Sequence, residues 1–352
     1  MGSGRVTQKD VAMQAGVSQA TVSTFLAGNT DLIARETALR IKSAIAELDY
    51  TPNRSARTLR TQRSMVVACV VPDITNPFYP ALFAAAQATL GAEYDVVAIN
   101  SGGQRDAEQA VIAAALRGRY DGLLGVFFSC RASDFEDAVK AGVAVVRIEA
   151  QRKLSGDLAI DDVFVDNRRA ARELTDCLLS LGHVRIEMVA AAGGPETVRV
   201  DGYREAMQKA GHEVVVHKAK AFTAEGGAQA IRAMLEAGDP PTAILAANDL
   251  MAIGAMRALG EAGLSVPGDV SIAGFDDIMP AALAVPQLST VALHQDELGA
   301  RAASLLLQRF SGVADGAGRL VEMPFDIVHR ASIGPPRQMP HETRIHQRRN
   351  ST

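Results

Sequence analysis

Side chains suited to binding a small polar molecule stand directly after apolar segments of the sequence. They comprise an arginine, two amides, two carboxylates and three aromatic rings: Asn76, Phe78, Phe128, Glu149, Arg199, Phe222, Asn248 and Asp276. Arginine and carboxylate groups hold vicinal hydroxyls, and aromatic rings stack on the apolar face of a sugar. The combination predicts a site for a polyhydroxylated ligand. Taken singly, each residue also fits a loop or turn role, and Asn248 in particular can cap the helix that follows it.

The sequence carries no recognisable catalytic motif. It contains no HExxH, CxxC or GxSxG and neither nucleotide-binding glycine pattern, GxGxxG or GxxxxGK[ST]. The acid pairs Asp161–Asp162 and Asp276–Asp277 are adjacent in sequence, which does not suit a spaced acid and base. Three cysteines without metal-ligand spacing, Cys69, Cys130 and Cys177, are expected to be reduced and buried. We therefore expect no enzyme activity, no cofactor and no metal site.

Apolar strands that alternate with helical stretches must position the ligand-binding residues. The strand candidates are 65–71, 95–100, 122–128, 143–148, 186–192, 213–218, 242–247 and 270–275. Nearly continuous apolar runs are typical of parallel strands covered on both faces. So many βα repeats predict two doubly wound α/β lobes, in which ligands bind at the carboxyl ends of the strands.

Length and charge separate a basic head from an acidic body. The chain has 352 residues, 48% of them apolar, and a net charge of −4, which excludes global disorder. Residues 1–63 hold nine Lys/Arg against five Asp/Glu, so only this segment is expected to meet a polyanion. No apolar run approaches the roughly 18 residues of a membrane helix. The N-terminus lacks the apolar core of a signal peptide, and we expect a cytoplasmic protein without membrane contact.

The head has the pattern of three short helices. Thr7 can cap the first, which runs to about Ala15, and Gly16 can supply a left-handed turn. Ser18 can cap a second helix from about Gln19 to Leu26, and apolar residues at helical spacing mark a third. Helix, glycine turn and helix make a helix-turn-helix, although generic helical hairpins share the pattern. Its second helix would present small or polar residues to DNA: Gln19, Ala20, Thr21, Ser23 and Thr24.

The segment TPNRSARTLRTQRS follows the third helix and is rich in arginine. Asn53 can cap a short turn that carries Arg54, Arg57 and the aliphatic Leu59. One interpretation is a basic interdomain linker. The other is a hinge helix in the minor groove, in which the arginines meet phosphates and the leucine wedges between base pairs.

The head resembles that of the lactose-repressor (LacI/GalR) family, through the helix-turn-helix and the PNRSA-x-x-L hinge at the family's spacing. The resemblance implies base contacts from Gln19, Ala20 and Thr24, and minor-groove insertion by Leu59. The other implied DNA-binding residues are Thr7, Ser18, Thr21, Ser23, Asn53, Arg54, Ala56 and Arg57. Thr24 stands where arginine is common. Ile33 stands where the family usually caps the third helix with serine, which leaves that cap to Asp31 or to water.

The resemblance extends along the body to about residue 335, through PDITNPFY (72–79), RVDGY (199–203) and VPGDVSIAGFDD (266–277). It implies effector hydrogen bonds from Arg199, Asn248 and Asp276, and a pocket lined by the other ligand candidates named above. The loop 149–159 and the stretch around Cys130 depart from the family pattern.

The resemblance also implies the domain order and the partners. A helix-turn-helix head (1–50) and a hinge helix (51–63) precede two doubly wound parallel α/β lobes of periplasmic-binding-protein type. The first lobe comprises 64–164 plus 293–325, the second comprises 165–292 plus 326–336, and 337–352 form a disordered tail. We expect a homodimeric repressor on a near-palindromic DNA operator, controlled by a sugar-like effector. The alternative is a ligand-binding module of periplasmic type without DNA function.

Overall fold

The computed structural model describes residues 6–26, 30–50, 63–153, 156–314 and 316–337. The chain divides into two compact units, Met1–Ser64 and Met65–Thr352. The expected hinge helix and tail lie outside the described residues, apart from Arg63 and Arg337, and so do Asn53, Arg54, Ala56, Arg57 and Leu59. Among the described residues, no helix has the length and hydropathy needed to cross a membrane.

The first unit contains the three expected helices, α1 (Gln8–Ala15), α2 (Gln19–Leu26) and α3 (Arg35–Glu47). Thr7 and Asp10 cap α1 reciprocally, and Gly16 ends it with φ of 64°, where a side chain would be strained. Val11, Val22 and Ile41 are fully buried and join the helices in one small core. The sequence prediction of these helices is confirmed.

The start of α3 differs from the expectation. The residue that precedes the helix is Ala34, and no side chain caps it. Asp31, expected as a possible cap, lies instead in a short 3₁₀ turn at Thr30–Leu32 and is exposed. The first backbone N–H groups of α3 therefore receive no side-chain acceptor at the cap position, and solvent can satisfy them.

The first lobe of the second unit is built on a six-stranded parallel sheet in the order β11-β5-β4-β3-β1-β2. Its strands are β1 (Val66–Val71), β2 (Asp95–Asn100), β3 (Gly122–Gly125), β4 (Ala144–Glu149), β5 (Ile160–Phe164) and β11 (Leu320–Glu322). The helices packed on it are α4 (Phe78–Leu90), α5 (Arg105–Leu116), α6 (Glu136–Lys140) and α12 (Gln295–Phe310). The central strands are buried on both faces, but β2 is mostly exposed because it forms the edge.

The second lobe has a four-stranded parallel sheet in the order β7-β6-β8-β9. Its strands are β6 (Ile186–Ala191), β7 (Val215–Ala219), β8 (Ala243–Ala246) and β9 (Ser271–Ala273). Its helices are α7 (Asn167–Ser180), α8 (Glu196–Lys209), α9 (Ala224–Ala237), α10 (Asp249–Glu261) and α11 (Met279–Leu283). A separate antiparallel ribbon pairs β10 (Thr290–Ala292) with β12 (Asp326–Val328). The expectation of two doubly wound lobes is confirmed.

Strand β5 escaped the sequence prediction because charged residues occupy its core positions. Asp161 is fully buried, and its carboxylate accepts hydrogen bonds from Arg309 and Arg319. Its neighbour Asp162 is equally buried against Arg147, with Nε to Oδ1 at 2.8 Å. Pairing satisfies these buried charges, so a strand with two acids can lie inside a sheet.

The cysteines follow the expectation only in part. All three are free thiols, but Cys69 and Cys130 are buried whereas Cys177 is half-buried on α7. The Cys177 sulfur lies 3.8 Å from His329 Nδ1, a polar neighbour that accounts for its place near the surface.

Candidate functional site

The start of helix α2 forms the exposed polar surface of the first unit. Ser18, Gln19 and Ala20 are exposed, and Thr21, Ser23 and Thr24 are half-buried. The Thr21 backbone N–H donates to Ser18 Oγ at 3.1 Å, which fixes the first turn of the helix. The Thr24 hydroxyl donates to the Ala20 carbonyl at 3.0 Å. The arrangement brings six of the predicted DNA-binding residues together, while Thr7 lies apart as the cap of α1.

Arg199 is the centre of the polar site of the second unit. It is buried on α8, and its Nε donates to Asn167 Oδ1 at 2.8 Å and its Nη2 to Asp276 Oδ1 at 3.0 Å. Its Nη1 donates to the Ala247 carbonyl, and its Cζ lies 3.8 Å from the centre of the Phe275 ring. All three nitrogens thus have acceptors within the second lobe, which holds the guanidinium in one orientation.

Asp276 lies where the two lobes meet. It is buried, and the polar side chain of Asn76, from the first lobe, lies near its carboxyl group. Burial raises the pKa of Asp276, and the Arg199 guanidinium opposes that shift. Burial together with the Asp276 charge also raises the pKa of Tyr79, so this tyrosine is a neutral phenol at physiological pH. We call Asn76, Tyr79, Arg199 and Asp276 the interlobe cluster.

Phe128 also contacts the opposite lobe. A Cβ atom added to Gly194, in the loop after β6, would lie 2.8 Å from the Phe128 ring. The ring also packs over Gly103 of its own lobe, where an added Cβ would lie 3.2 Å from it, and it remains 38% exposed. Glu108 fixes the loop behind it, because its buried carboxylate accepts the backbone N–H groups of three consecutive residues, Phe128 to Cys130, at 2.8–3.0 Å.

Glu149 has an unused acceptor at the end of β4. It is buried, and its Oε1 has no hydrogen-bond partner, whereas its Oε2 pairs with Lys153 Nζ at 2.5 Å. Burial raises the pKa of Glu149, and Lys153 opposes that shift. The next carbonyl, that of Ala150, accepts from the Asn167 backbone N–H at 3.1 Å. Asn167 also accepts a hydrogen bond from Arg199. Glu149 is therefore adjacent in sequence to a residue, Ala150, that contacts a support of the interlobe cluster.

The remaining ligand candidates take partly structural positions. Asn248 caps α10, with Oδ1 accepting from Met251 N–H at 2.9 Å, and its Nδ2 donates to the Phe222 carbonyl at 3.2 Å. The capping interpretation of Asn248 is therefore confirmed. Phe222 is half-buried. Phe78 is buried in the main apolar core and meets Tyr79 edge-on, with ring centres 5.2 Å apart.

Comparisons with known proteins agree with this architecture. Residues 7–53 match the profile of bacterial regulatory proteins of the lacI family, and residues 175–333 match a periplasmic binding protein-like domain. The chain is 31% identical over 334 residues to the HTH-type transcriptional repressor CytR of Escherichia coli (strain K12), covering 93% of this chain and 96% of that protein. It belongs to the LacI family.

Other family members are similarly close. The regulator DegA of Bacillus subtilis (strain 168) is 31% identical, with coverage of 94% of this chain and 99% of the relative. The crystal structure of the lac repressor dimer bound to operator and the anti-inducer ONPF matches with a TM-score of 0.79 at 26% identity, covering 94% of this chain and 100% of that chain. This LacI-family protein is therefore a sequence-specific DNA-binding transcriptional regulator with an effector-binding second unit.

Sequence reasoning missed Tyr79, Asn167 and Glu108 as members or supports of the site. Tyr79 stands inside PDITNPFY, one of the segments that carry the family resemblance, so its position was a usable signal. Glu108 offered none, because a glutamate in the first turn of a helix is ordinary. Among the described residues, no group of His, Cys, Asp and Glu could hold a metal ion.

Proposed function

We propose that this LacI-family protein is a cytoplasmic, non-enzymatic repressor that binds a near-palindromic operator as a homodimer. An uncharged polyhydroxylated effector, a sugar or sugar derivative, binds at the interlobe cluster and sets the DNA affinity. The observation that carries the proposal is the buried pairing of Arg199 with Asp276 in the second lobe, close to the polar side chain of Asn76 from the first lobe.

The charges around the site favour an uncharged ligand rich in hydroxyl donors. Three of the five N–H groups of Arg199 already donate to acceptors in the chain, which leaves only two for a ligand. The Asp276 carboxylate is a buried acceptor, and so is Glu149 Oε1, which accepts no hydrogen bond and lies 3.8 Å from Arg147 Nε; a ligand hydroxyl can satisfy either by donating. An anionic ligand would instead bring a third negative charge beside two buried carboxyl groups.

Structures of relatives support a sugar. A CelR–cellobiose complex matches this chain with a TM-score of 0.65 at 28% identity, and a LacI-family regulator from Enterococcus faecium with bound ribose matches with a TM-score of 0.68 at 27% identity. Phe128 supplies an aromatic face between the lobes, and such faces stack on the apolar side of sugar rings.

The same proposal assigns the DNA contacts. Gln19, Ala20 and Thr24 reach base edges in the major groove, and Thr7, Ser18, Thr21 and Ser23 contact the backbone. Leu59 enters the minor groove from the hinge, flanked by Asn53, Arg54, Ala56 and Arg57. Two heads on one operator require two copies of the chain, and the lac repressor neighbour is a dimer on its operator.

Ligand control follows from linkage between the two sites. An effector that binds one lobe arrangement more tightly than another shifts the population toward that arrangement. If the two arrangements separate the paired hinge segments differently, the DNA affinity changes by the same coupling free energy, typically about 1–3 kcal/mol.

A band-shift titration at several salt concentrations tests the DNA part of the proposal. Full-length protein on a library of palindromic duplexes should bind with an affinity that falls steeply as salt rises. Leu59→Ala should weaken binding, whereas the neighbouring control Thr58→Ala should not. Absent or salt-insensitive binding would favour the ligand-binding module without DNA function, and equal affinity of Leu59→Ala would contradict the wedge.

A thermal-shift screen tests the effector part. D-ribose, D-glucose and cellobiose are compared with ribose 5-phosphate and glucose 6-phosphate, because a ligand stabilises the folded state by mass action. We expect stabilisation by an uncharged sugar, abolished in Arg199→Ala and Asp276→Ala but retained in the surface control Arg204→Ala. Stabilisation by phosphorylated sugars alone would contradict the argument from charge.

A further inference from the structure

The loop that carries Asp276 has an unusual backbone. Asp276 and Asp277 are consecutive and have φ values of 117° and 55°. Non-glycine residues in such regions cost about 1–3 kcal/mol each and persist only where the surroundings determine them. Something must therefore hold this loop in place.

Asp249 binds the backbone on both sides of the two strained residues. Its backbone N–H donates to the Phe275 carbonyl at 2.8 Å, and its Oδ2 accepts from the Ile278 N–H at 2.9 Å. Phe275 and Ile278 are the residues directly before and after the Asp276–Asp277 pair. One fully buried residue thus fixes both ends of the strained turn.

The other carboxylate oxygen of Asp249 connects the loop to strand β10. Thr290, the first residue of β10, donates from Oγ1 to Asp249 Oδ1 at 2.6 Å. The loop backbone is tied to the same segment, since Gly274 N–H donates to the Ser289 carbonyl and Asp276 N–H to the Val291 carbonyl, each at 2.9 Å. After β10 the chain enters α12, which packs on α4 of the first lobe.

Gly274 leaves room for the Asp249 carboxyl group. A Cβ atom on Gly274 would lie 2.2 Å from Asp249 Oδ1, far inside van der Waals contact. Burial and the nearby Asp276 charge raise the pKa of Asp249, and the hydrogen bonds donated by Thr290 Oγ1 and the Ile278 N–H oppose that shift.

We propose that Asp249 is a positioning residue of the ligand site, which holds the Asp276 loop in its strained conformation and couples it to β10, where the chain passes between the lobes. A contact between this loop and an effector rests on the proposed function. The positioning role itself concerns only the backbone and can be measured without a ligand.

Hydrogen exchange of the full-length protein, followed by mass spectrometry, tests the positioning role. Asp249→Ala should speed exchange of peptides that cover 274–279 and 289–293 by about tenfold or more, because buried acceptors are lost. Asp249→Asn should stay close to wild type, since its amide oxygen can accept from the Ile278 N–H and its amide N–H can donate to the Thr290 hydroxyl. Thr290→Val should give an intermediate increase around 289–293, and it remains informative if Asp249→Ala does not fold.

Asp269→Ala is the matched control, because Asp269 likewise accepts from a backbone N–H and a hydroxyl, both of Ser265, away from this loop. It should leave the two peptides unchanged. Wild-type exchange rates in both Asp249→Ala and Thr290→Val, or equal losses in Asp249→Asn and Asp249→Ala, would overturn the proposal.

The same variants are then heated with D-ribose and with cellobiose as probes. Where a sugar stabilises the wild type, Asp249→Asn should retain the shift and Asp249→Ala should lose at least about tenfold in apparent affinity. Full retention by Asp249→Ala would contradict a role in the ligand site. If neither sugar stabilises the wild type, that result counts against the proposed effector class, and the exchange rates still decide the role of Asp249.

Discussion

Arg199 on α8 donates a hydrogen bond to the carboxylate of Asp276 at 3.0 Å, inside the second lobe. The polar side chain of Asn76, from the first lobe, lies near the same carboxyl group. Under the proposed function, a ligand hydroxyl that reaches Asp276 competes with or reinforces the contact between Asp276 and Asn76. Ligand binding at this point would then change the lobe arrangement.

Asn76→Ala should loosen the contact between the lobes. Loss of a polar contact worth about 1 kcal/mol would shift an open–closed equilibrium roughly fivefold toward the open state. Small-angle X-ray scattering should then report a larger radius of gyration than for the wild type. The control is Asn100→Ala, which removes an amide that accepts from Ile74 N–H at 3.2 Å within the first lobe. An equal change in both variants would mean that the contact between Asn76 and Asp276 is not responsible.

The contributions of Arg199 and Asp276 to the free energy of unfolding should be strongly coupled. Arg199→Met leaves the buried Asp276 carboxylate without its cation and should lower the free energy of unfolding by about 3–5 kcal/mol. Adding Asp276→Asn should recover part of that loss, with a coupling energy of about 1–3 kcal/mol in a double-mutant cycle by chemical denaturation.

The exposed pair Arg204 and Asp201 on the same helix, with Nη1 and Oδ1 2.7 Å apart, is the control for that cycle. The equivalent substitutions there should couple by less than about 1 kcal/mol, because water screens the charges. Additive effects at Arg199 and Asp276 would show that their pairing does not contribute to the stability of the site.

Gly194→Ala should lower the stability of the folded protein by more than the unfavourable backbone conformation alone would. The φ of 57° makes alanine unfavourable by about 1 kcal/mol, and the added Cβ would also overlap the Phe128 ring. In a Phe128→Ala background only the backbone cost should remain, so the loss of melting temperature caused by Gly194→Ala should be smaller. The same loss in both backgrounds would show that the ring does not rest against Gly194 in solution.

The sequence was sufficient to predict the lobes because their central strands are almost uniformly apolar. Strand β1 begins one residue later than expected, and β2 has the expected bounds. The short ribbon strands β10 and β12 have three residues each, too few for a periodic signal. The buried acids of β5 misled the prediction, because their arginine partners come from distant segments such as Arg309 and Arg319.

The structure brings some of the predicted ligand residues together and gives others structural contacts. Arg199 and Asp276 do meet, and the carboxyl ends of the strands explain why. What the sequence could not supply was the assignment of partners: Asn248 is used as a helix cap, and Asn76 of the first lobe lies near Asp276. Such contacts depend on how loops from separate strands converge, which local sequence patterns do not encode.

Asp249→Asn should change how stability depends on pH. The folded-state pKa of Asp249 is raised by burial and by Asp276, with a further contribution from Asp277, which itself pairs with Arg330 at 2.7 Å. A group with a raised folded pKa contributes stability below its unfolded pKa of about 3.9, and that contribution is lost as pH rises through the folded pKa. The melting temperature of the wild type should therefore fall relative to Asp249→Asn as pH rises above about 4.

Asp269→Asn is a control for which we expect the opposite dependence of stability on pH. Hydrogen bonds from the Ser265 hydroxyl and backbone lower the pKa of Asp269. A lowered folded pKa gives stability that is present above the unfolded value and lost as pH falls through the folded value. Over the acidic range, the melting temperature of the wild type should therefore rise relative to that of Asp269→Asn as pH increases. Relative to that of Asp249→Asn it should fall. Parallel pH profiles for the wild type and Asp249→Asn would show that the pKa of Asp249 is not raised in the folded protein.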